Sequence, residues 1–143
     1  MNSLRVEKSY KLVGTELSIE YSPYESGLDR FVHPNKGKFI GLEALNQWRE
    51  KGFNNKLITM EVHNTTDADV LGNNPVYENG SVIGRATGGE YGFRLDKSIA
   101  LAMVKPELGN VGQKLKIDIL GKMHEATVLE ESPYDPENNL LRA

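Results

Sequence analysis

The 143-residue chain contains no cysteine, which excludes disulfides, thiolate metal ligands and cysteine nucleophiles. Histidine is scarce as well, because His33, His63 and His124 stand far apart and show no metal-ligand spacing. No apolar run approaches the roughly 18 residues that a membrane span needs. The front of the chain also lacks the apolar core of a signal peptide. These absences predict a cytoplasmic protein with no metal site and no membrane partner.

The chain also lacks an excess of positive charge. Seventeen Lys and Arg residues face 20 Asp and Glu residues, so the formal net charge is −3. No strong basic field exists to attract nucleic acid, and we expect no nucleic-acid partner. The apolar fraction of 38% is low but sufficient for one core. The length fits one domain, or a small domain with an additional arm.

The beginning of the chain predicts a short helix that needs a packing surface. Ser3 is placed to cap this helix, and Leu4 and Tyr10 are expected to share one of its faces. Two helical turns are not stable alone in water, so the helix must pack on another element. Residues 13–38 then carry scattered glycines and prolines, and such a long irregular segment is uncommon inside a compact domain. We expect this segment to lie against a neighbouring surface.

A second helix is predicted after the irregular segment. Leu42, Leu45 and Trp48 recur at helical spacing, and Gly52 is placed to end the helix. Trp48 is expected to be buried as a core anchor rather than to act as a ligand platform.

From residue 55 onward the pattern changes to short strands. Asn79-Gly80 between two β-rich runs is a strong hairpin signal. The run 98–104 is continuously apolar, as in a buried strand, whereas 114–120 alternates and has one wet face. About six strands at close spacing over 55–131 favour a small antiparallel β-barrel or sandwich. The predicted fold class is therefore mostly β, with an α+β arm at the N-terminus.

The glycine cluster at 84–92 has two interpretations. Its backbone amides would suit an anion, but no helix follows to supply an N-terminal dipole. The favoured interpretation is a bulged corner between a strand and a loop, where side chains do not fit.

Several acidic residues and one terminal arginine are candidates for chemistry. Glu7 and Glu25 are the best candidates for a general base, since both lie in the irregular arm, although solvated carboxylates remain the favoured alternative. Glu61 and Glu125 alternate with apolar residues and are assigned to outer strand faces. Arg142 is either a frayed terminal charge or a group that reaches back into a cleft. No catalytic residue is assigned.

Six segments together resemble a known family. In order, they are SLRVEKSYKL at 3–12, SPYESGL at 22–28, KFIGLEAL at 38–45, GRATGGEYG at 84–92, KSIALA at 97–102 and DPEN at 135–138. This order and spacing are similar to those of the glycine cleavage T-protein (aminomethyltransferase) family. The opening Asn2-Ser3 and the DPEN tail look most like its sarcosine and dimethylglycine dehydrogenase branch.

The resemblance implies a division of the chain and a cofactor. Residues 1–52 resemble the last part of the folate-binding region, and 53–143 resemble the C-terminal β-barrel domain. In the family, tetrahydrofolate lies in a central channel and accepts a one-carbon unit from a methylamine-type or aminomethyl donor. The family's catalytic aspartate lies upstream of the matched segments. Arg142 matches a family arginine near the channel, Met1 stands where another arginine is common, and Glu7 and Glu25 are further cofactor-binding candidates.

Three functional hypotheses remain open from the sequence. The first is a C-terminal fragment that closes one side of a folate channel and is inactive alone. The second is a stand-alone barrel that serves as a binding or assembly module, and the third is a folate carrier without catalysis. Because the arm of residues 1–52 lacks its own core, we also expect a possible homodimer formed through this arm.

Overall fold

A computed structural model describes residues 1–65 and 68–143 of the chain. Within these ranges the helices and strands follow the predicted order. The helices are α1 (Asn2–Glu7) and α2 (Leu42–Lys51), with short 3₁₀ helices at Asp29–Phe31, Pro34–Lys36 and Pro106–Leu108. The strands are β1 (Lys56–Val62), β2 (Pro75–Glu78), β3 (Ser81–Gly92), β4 (Lys97–Val104), β5 (Lys114–Ile119) and β6 (Lys122–Leu129).

The strands form a closed barrel in which every neighbouring pair is antiparallel. The order around the barrel is β1-β4-β3-β2-β5-β6, and pairing of β1 with β6 closes the ring. Closure removes the free strand edges that otherwise invite aggregation. The prediction of a mostly β fold with a small antiparallel barrel and a helical N-terminal arm is confirmed.

Local sequence explains the individual strands. In β5, Leu115, Ile117 and Ile119 are buried and alternate with more exposed residues, as the period of two requires. Between β2 and β3, Asn79 and Gly80 have φ values of 49° and 81°, the left-handed conformation that a two-residue hairpin turn needs. The predicted hairpin is therefore confirmed.

Strand β4 is apolar on both faces because both faces are covered. Ala100, Ala102 and Val104 belong to the interior cluster of the barrel. The alternate side chains of β4, Ile99 and Leu101, have no exposed surface but lie outside that cluster. Helix α1 contacts β3 and β4, so part of the arm covers the outer face of the barrel here.

The front of the arm is fastened to the barrel by polar contacts. The hydroxyls of Ser9 and Thr59 are hydrogen-bonded at 2.6 Å, and both side chains are buried. The backbone amide of Leu57 donates to the carbonyl oxygen of Glu25 at 2.8 Å. In contrast, α2 has no buried residue. The barrel thus supplies a packing surface for the front of the arm and leaves α2 exposed.

Two local predictions are wrong. Ser3 lies inside α1, where its hydroxyl donates to the Tyr91 carbonyl oxygen at 2.7 Å, and Met1 is the N-cap. Trp48 is 42% exposed, because α2 does not pack on the core.

The prediction for the glycine cluster is confirmed in part. The cluster lies within β3 and not at a strand-to-loop corner. The strand register shifts between Ala86 and Gly88, as a bulge requires, and a Cβ at Gly84 or Gly89 would collide with the backbone of β4.

Candidate functional site

A cavity of about 570 Å³ lies where α1, the turn after β3 and the C-terminal tail meet. We call it the α1–tail cavity. Its walls are largely apolar, with a few charged groups among them. The lining residues are Met1, Leu4, Arg5, Glu7, Lys8, Tyr10, Arg94, Tyr134, Asp135, Leu140 and Leu141.

Hydrogen bonds between the end of α1 and the tail form one side of the cavity. The amide of Tyr134 donates to the Glu7 carbonyl oxygen at 3.0 Å. Ser132 forms two hydrogen bonds: its amide donates to Ser9 Oγ at 2.9 Å, and its hydroxyl donates to the Lys8 carbonyl oxygen at 2.7 Å. These bonds also satisfy carbonyl groups that the short helix leaves free at its C-terminal end. The tail is thus anchored where it begins.

Glu7 places a buried carboxylate in the wall of this cavity. The side chain is 1% exposed, and its Oε1 accepts a hydrogen bond from the Arg94 amide at 2.7 Å. Gly92 makes room for it, because a Cβ at residue 92 would lie 3.0 Å from Glu7 Cγ. Among the described residues, no basic side chain forms an ion pair with Glu7. Glu7 is therefore not the solvated carboxylate that the sequence favoured, and it can accept from a ligand's donor group.

Two basic side chains at the cavity have no acidic partner within the described ranges. Lys8 Nζ donates to the Asp135 carbonyl oxygen at 2.5 Å and to Asn138 Oδ1 at 2.7 Å, both uncharged acceptors. The Arg94 guanidinium lies over the Tyr134 ring, 4.9 Å from its centroid. Apolar walls with two uncompensated cations suit a ligand that has an apolar or aromatic body and an anionic group.

The other two predicted cofactor residues occupy different positions. Arg142 is exposed and directly follows Leu140 and Leu141, which line the cavity. Glu25 lies outside the lining, and its carboxylate already accepts from the Ser22 amide and hydroxyl and from the Asn55 amide. Burial raises the pKa of Glu25, but these hydrogen bonds together hold it below the ordinary value. Cofactor binding by Arg142, Glu7 and Glu25 stays a prediction.

Glu16 is a buried carboxylate that no sequence pattern indicates. Its side chain has no exposed surface and accepts hydrogen bonds from the Thr87 and Thr15 hydroxyls and the Leu12 amide. Arg5 lies 3.2 Å away and completes an ion pair. Burial raises the pKa of Glu16, but the hydrogen bonds and the Arg5 charge together hold it below the ordinary value. The sequence pattern of an irregular segment does not indicate which groups an acidic residue within it will contact.

A second acidic contact that the sequence did not indicate joins Asp69 to Glu90. Burial, the Glu90 charge and a hydrogen bond between the two side chains raise the pKa of Asp69. Glu90 Oε2 also accepts from the Asn2 side-chain amide at 3.2 Å, which ties the start of α1 to β3.

The helices of the described ranges are too short or too polar to span a membrane. Residues 1–65 and 68–143 also contain no group of three or more His, Asp or Glu side chains placed to hold a metal ion.

Comparison with known proteins agrees with the barrel fold described above. The sequence model of the family described as glycine cleavage T-protein C-terminal barrel domain matches residues 55–135. Dimethylglycine dehydrogenase, mitochondrial, of Homo sapiens is 39% identical over 145 residues, covering 99% of this chain and 17% of that protein. Aminomethyltransferase of Desulfitobacterium hafniense (strain DSM 10664 / DCB-2) is 36% identical over 133 residues, covering 93% of this chain and 36% of that protein.

A solved structure shares the fold. The crystal structure of glycine cleavage system aminomethyltransferase T from Bartonella henselae superposes with a TM-score of 0.85 over 94% of this chain and 38% of that chain, at 21% identity. At this identity the likeness concerns the fold alone. The chain thus spans about a sixth to a third of the length of these relatives.

Proposed function

Because the chain belongs to the glycine cleavage T-protein C-terminal barrel family, we propose that it closes one side of a tetrahydrofolate channel in a one-carbon transfer protein. The activity of such a protein would belong to a longer assembly that supplies the catalytic aspartate. This chain would contribute binding and enclosure, and we expect no turnover from it alone.

The observation that carries this proposal is the α1–tail cavity. A folate has an aromatic body, amide N–H groups and carboxylates at one end. The apolar walls suit the aromatic body, and the buried carboxylate of Glu7 suits an N–H donor. Lys8 and Arg94, which have no acidic partner among the described residues, suit the carboxylates.

Each of these residues has a distinct task under the proposal. Glu7 orients the ligand by accepting one hydrogen bond, and the burial of its side chain strengthens this bond because the local dielectric is low. Arg94 and, at the end of the tail, Arg142 supply positive charge. Leu4, Leu140 and Leu141 exclude water from the face of the aromatic body. In a one-carbon transfer protein of this family, this arrangement would hold tetrahydrofolate while a nitrogen of the folate accepts a one-carbon unit from a methylamine-type donor.

Calorimetric titration of the full chain with a reduced folate tests the proposal. We expect heat that saturates at one site per chain. Glu7→Gln should weaken binding about tenfold or more, since a hydrogen bond to a charged group contributes about 1.5–3 kcal/mol. Glu25→Gln is the comparison variant, because Glu25 is the other buried carboxylate predicted to bind the cofactor but lies outside the cavity, and we expect it to leave the affinity unchanged.

The same titration can contradict the proposal in two ways. If no heat is measured at millimolar ligand, this chain does not bind folate. An equal loss of affinity in Glu7→Gln and Glu25→Gln would move the site away from the cavity. A rate of methylene-tetrahydrofolate formation above background would refute the expectation that the chain alone is inactive.

The stand-alone binding module remains the alternative, and one observation favours it. It requires the arm to pack on the barrel, and the arm does so through Val6 and Ser9, both buried. However, no residue of α2 is buried. Size-exclusion chromatography with light scattering separates the cases, because a module predicts a monomer, whereas an exposed arm face predicts a homodimer formed through residues 1–52.

A further inference from the structure

Residues 135–143 have few hydrogen bonds to the rest of the described molecule. The residues just before them are held at the end of α1, where the Tyr134 amide donates to the Glu7 carbonyl oxygen and Ser132 bonds to Lys8 and Ser9. From Asp135 onward the hydrogen bonds to the rest of the molecule come from one side chain, Lys8, among the described residues. Residues 135–143 are thus a segment joined to the fixed chain at Tyr134 and held by one side chain.

This segment keeps its own shape through internal hydrogen bonds. The carboxylate of Asp135 accepts from the amides of Asn139, at 2.8 Å, and Leu140, at 3.4 Å. The Asn138 amide donates to the Asp135 carbonyl oxygen at 2.9 Å, and the Arg142 amide to the Asn138 carbonyl oxygen at 3.2 Å. A preformed loop of this kind can move as a unit around the residues where it joins the fixed chain.

Two leucine side chains of this loop lie at the α1–tail cavity. Leu140 and Leu141 line the cavity but remain 66% and 73% exposed. Burying a leucine side chain is favourable because it removes apolar surface from water. An apolar ligand in the cavity would therefore gain stability if the two leucines closed on it.

We propose that residues 135–143 form a lid over the α1–tail cavity and that Lys8 is the latch that holds it. Lys8 stands at the end of α1, which is itself fixed to the barrel, so the latch has a rigid base. Its two acceptors on the lid are uncharged, the Asp135 carbonyl and the Asn138 amide oxygen. The donor is a charged ammonium group and both acceptors are neutral, so the latch consists of two charge-assisted hydrogen bonds that one movement of the Lys8 side chain can break together.

The proposal concerns the cavity assigned above to folate, but the motion of the lid can be measured without that ligand. Hydrogen–deuterium exchange of the full chain, read by mass spectrometry, follows the amides of Asn138, Asn139, Leu140 and Arg142. Lys8→Met removes the latch and should raise their exchange rates about fivefold or more, with no change in β3 and β4. Asn138→Asp should lower them, because the latch then becomes an ion pair while residue 138 keeps a side chain that tolerates its φ of 57°.

Lys11→Met is the matched control for a lost lysine. Lys11 pairs with Glu131, which precedes the lid, so its loss should leave the exchange of residues 138–142 within twofold of the wild type. The proposal is overturned if Lys8→Met leaves the lid amides unchanged. It is also overturned if the exchange of β3 and β4 rises equally, because Lys8 would then stabilise the whole fold.

A neutral fluorescent probe for apolar sites tests whether the lid covers the cavity. In stopped-flow measurements, Asn138→Asp should slow both association and dissociation of the probe, and Lys11→Met should change neither. Unchanged probe rates in Asn138→Asp would mean that the loop does not gate the cavity. If Asn138→Asp slows the probe but no folate binds, the lid proposal is supported and the proposed function is refuted.

Discussion

The guanidinium of Arg5 lies 3.2 Å from the carboxylate of Glu16, whose side chain has no exposed surface. This pair joins α1 to the turn that follows it, and Glu16 also accepts from Thr87 on β3 at 2.5 Å. One buried carboxylate therefore connects the helix, the arm and the barrel.

Removal of this carboxylate should destabilise the fold strongly. Glu16→Ala leaves Arg5 without its partner and removes acceptors from Thr87 and Leu12, so we expect the free energy of unfolding to fall by about 3 kcal/mol. Glu20→Ala is the control, because Glu20 pairs with Arg85 at the exposed surface. Its loss should lower the free energy of unfolding by less than about 1 kcal/mol. Urea denaturation measures both, and equal losses would contradict the assignment of Glu16 as the connecting residue.

The same carboxylate should give the fold a specific acid sensitivity. Its pKa in the folded chain lies below the ordinary 4.5, so its contribution is present above pH 4.5 and is lost as pH falls through the folded pKa. The stability difference between the wild type and Glu16→Gln should therefore be constant near neutral pH and shrink below about pH 4.5. A difference that grows on acidification would contradict this sign.

Gly84 should not tolerate a side chain, whereas Gly88 on the same strand should. A Cβ at residue 84 would overlap the Met103 carbonyl oxygen and lie 2.7 Å from Val104 Cα, both backbone atoms of β4. A Cβ at residue 88 would meet only the end of Arg5, at 3.8 Å. We expect Gly84→Ala to lower the free energy of unfolding by at least about 2 kcal/mol, and Gly88→Ala to change it by less than about 0.5 kcal/mol. Thermal melting of both variants compares them directly.

Trp48 should contribute little to stability despite its size. It is 42% exposed on α2, so Trp48→Phe should change the free energy of unfolding by less than about 1 kcal/mol. Its fluorescence should also be readily quenched by acrylamide in the folded chain. A protected tryptophan would indicate that a second chain covers α2, which would support the predicted homodimer through residues 1–52.

The barrel could be predicted from sequence because its signals are local. The alternation of 114–120, the apolar run of 98–104 and the Asn79-Gly80 turn each specify a strand or a hairpin without long-range information. Trp48 was misjudged because a helical apolar stripe predicts a partner surface but not whether this chain supplies one.

The cavity could be predicted only in part. Glu7 was selected because of its place in the arm, but its burial depends on Gly92 and Arg94, which lie far away in sequence. No sequence pattern indicates the burial of Glu16, since Thr87 approaches it only when the arm folds on the barrel. Lys8 carried no signal either, because its acceptors are on the tail, 127 and 130 residues later.

The proposed binding of folate in the α1–tail cavity can be examined by amide chemical-shift mapping of the isotope-labelled chain during titration with a reduced folate. We expect the largest shifts to cluster at Leu4, Glu7, Arg94, Tyr134 and Leu141, and Glu7→Gln to reduce them at equal ligand concentration. If the shifts are confined to α2 or to the far side of the barrel, or if none occur at millimolar ligand, the cavity is not the folate site.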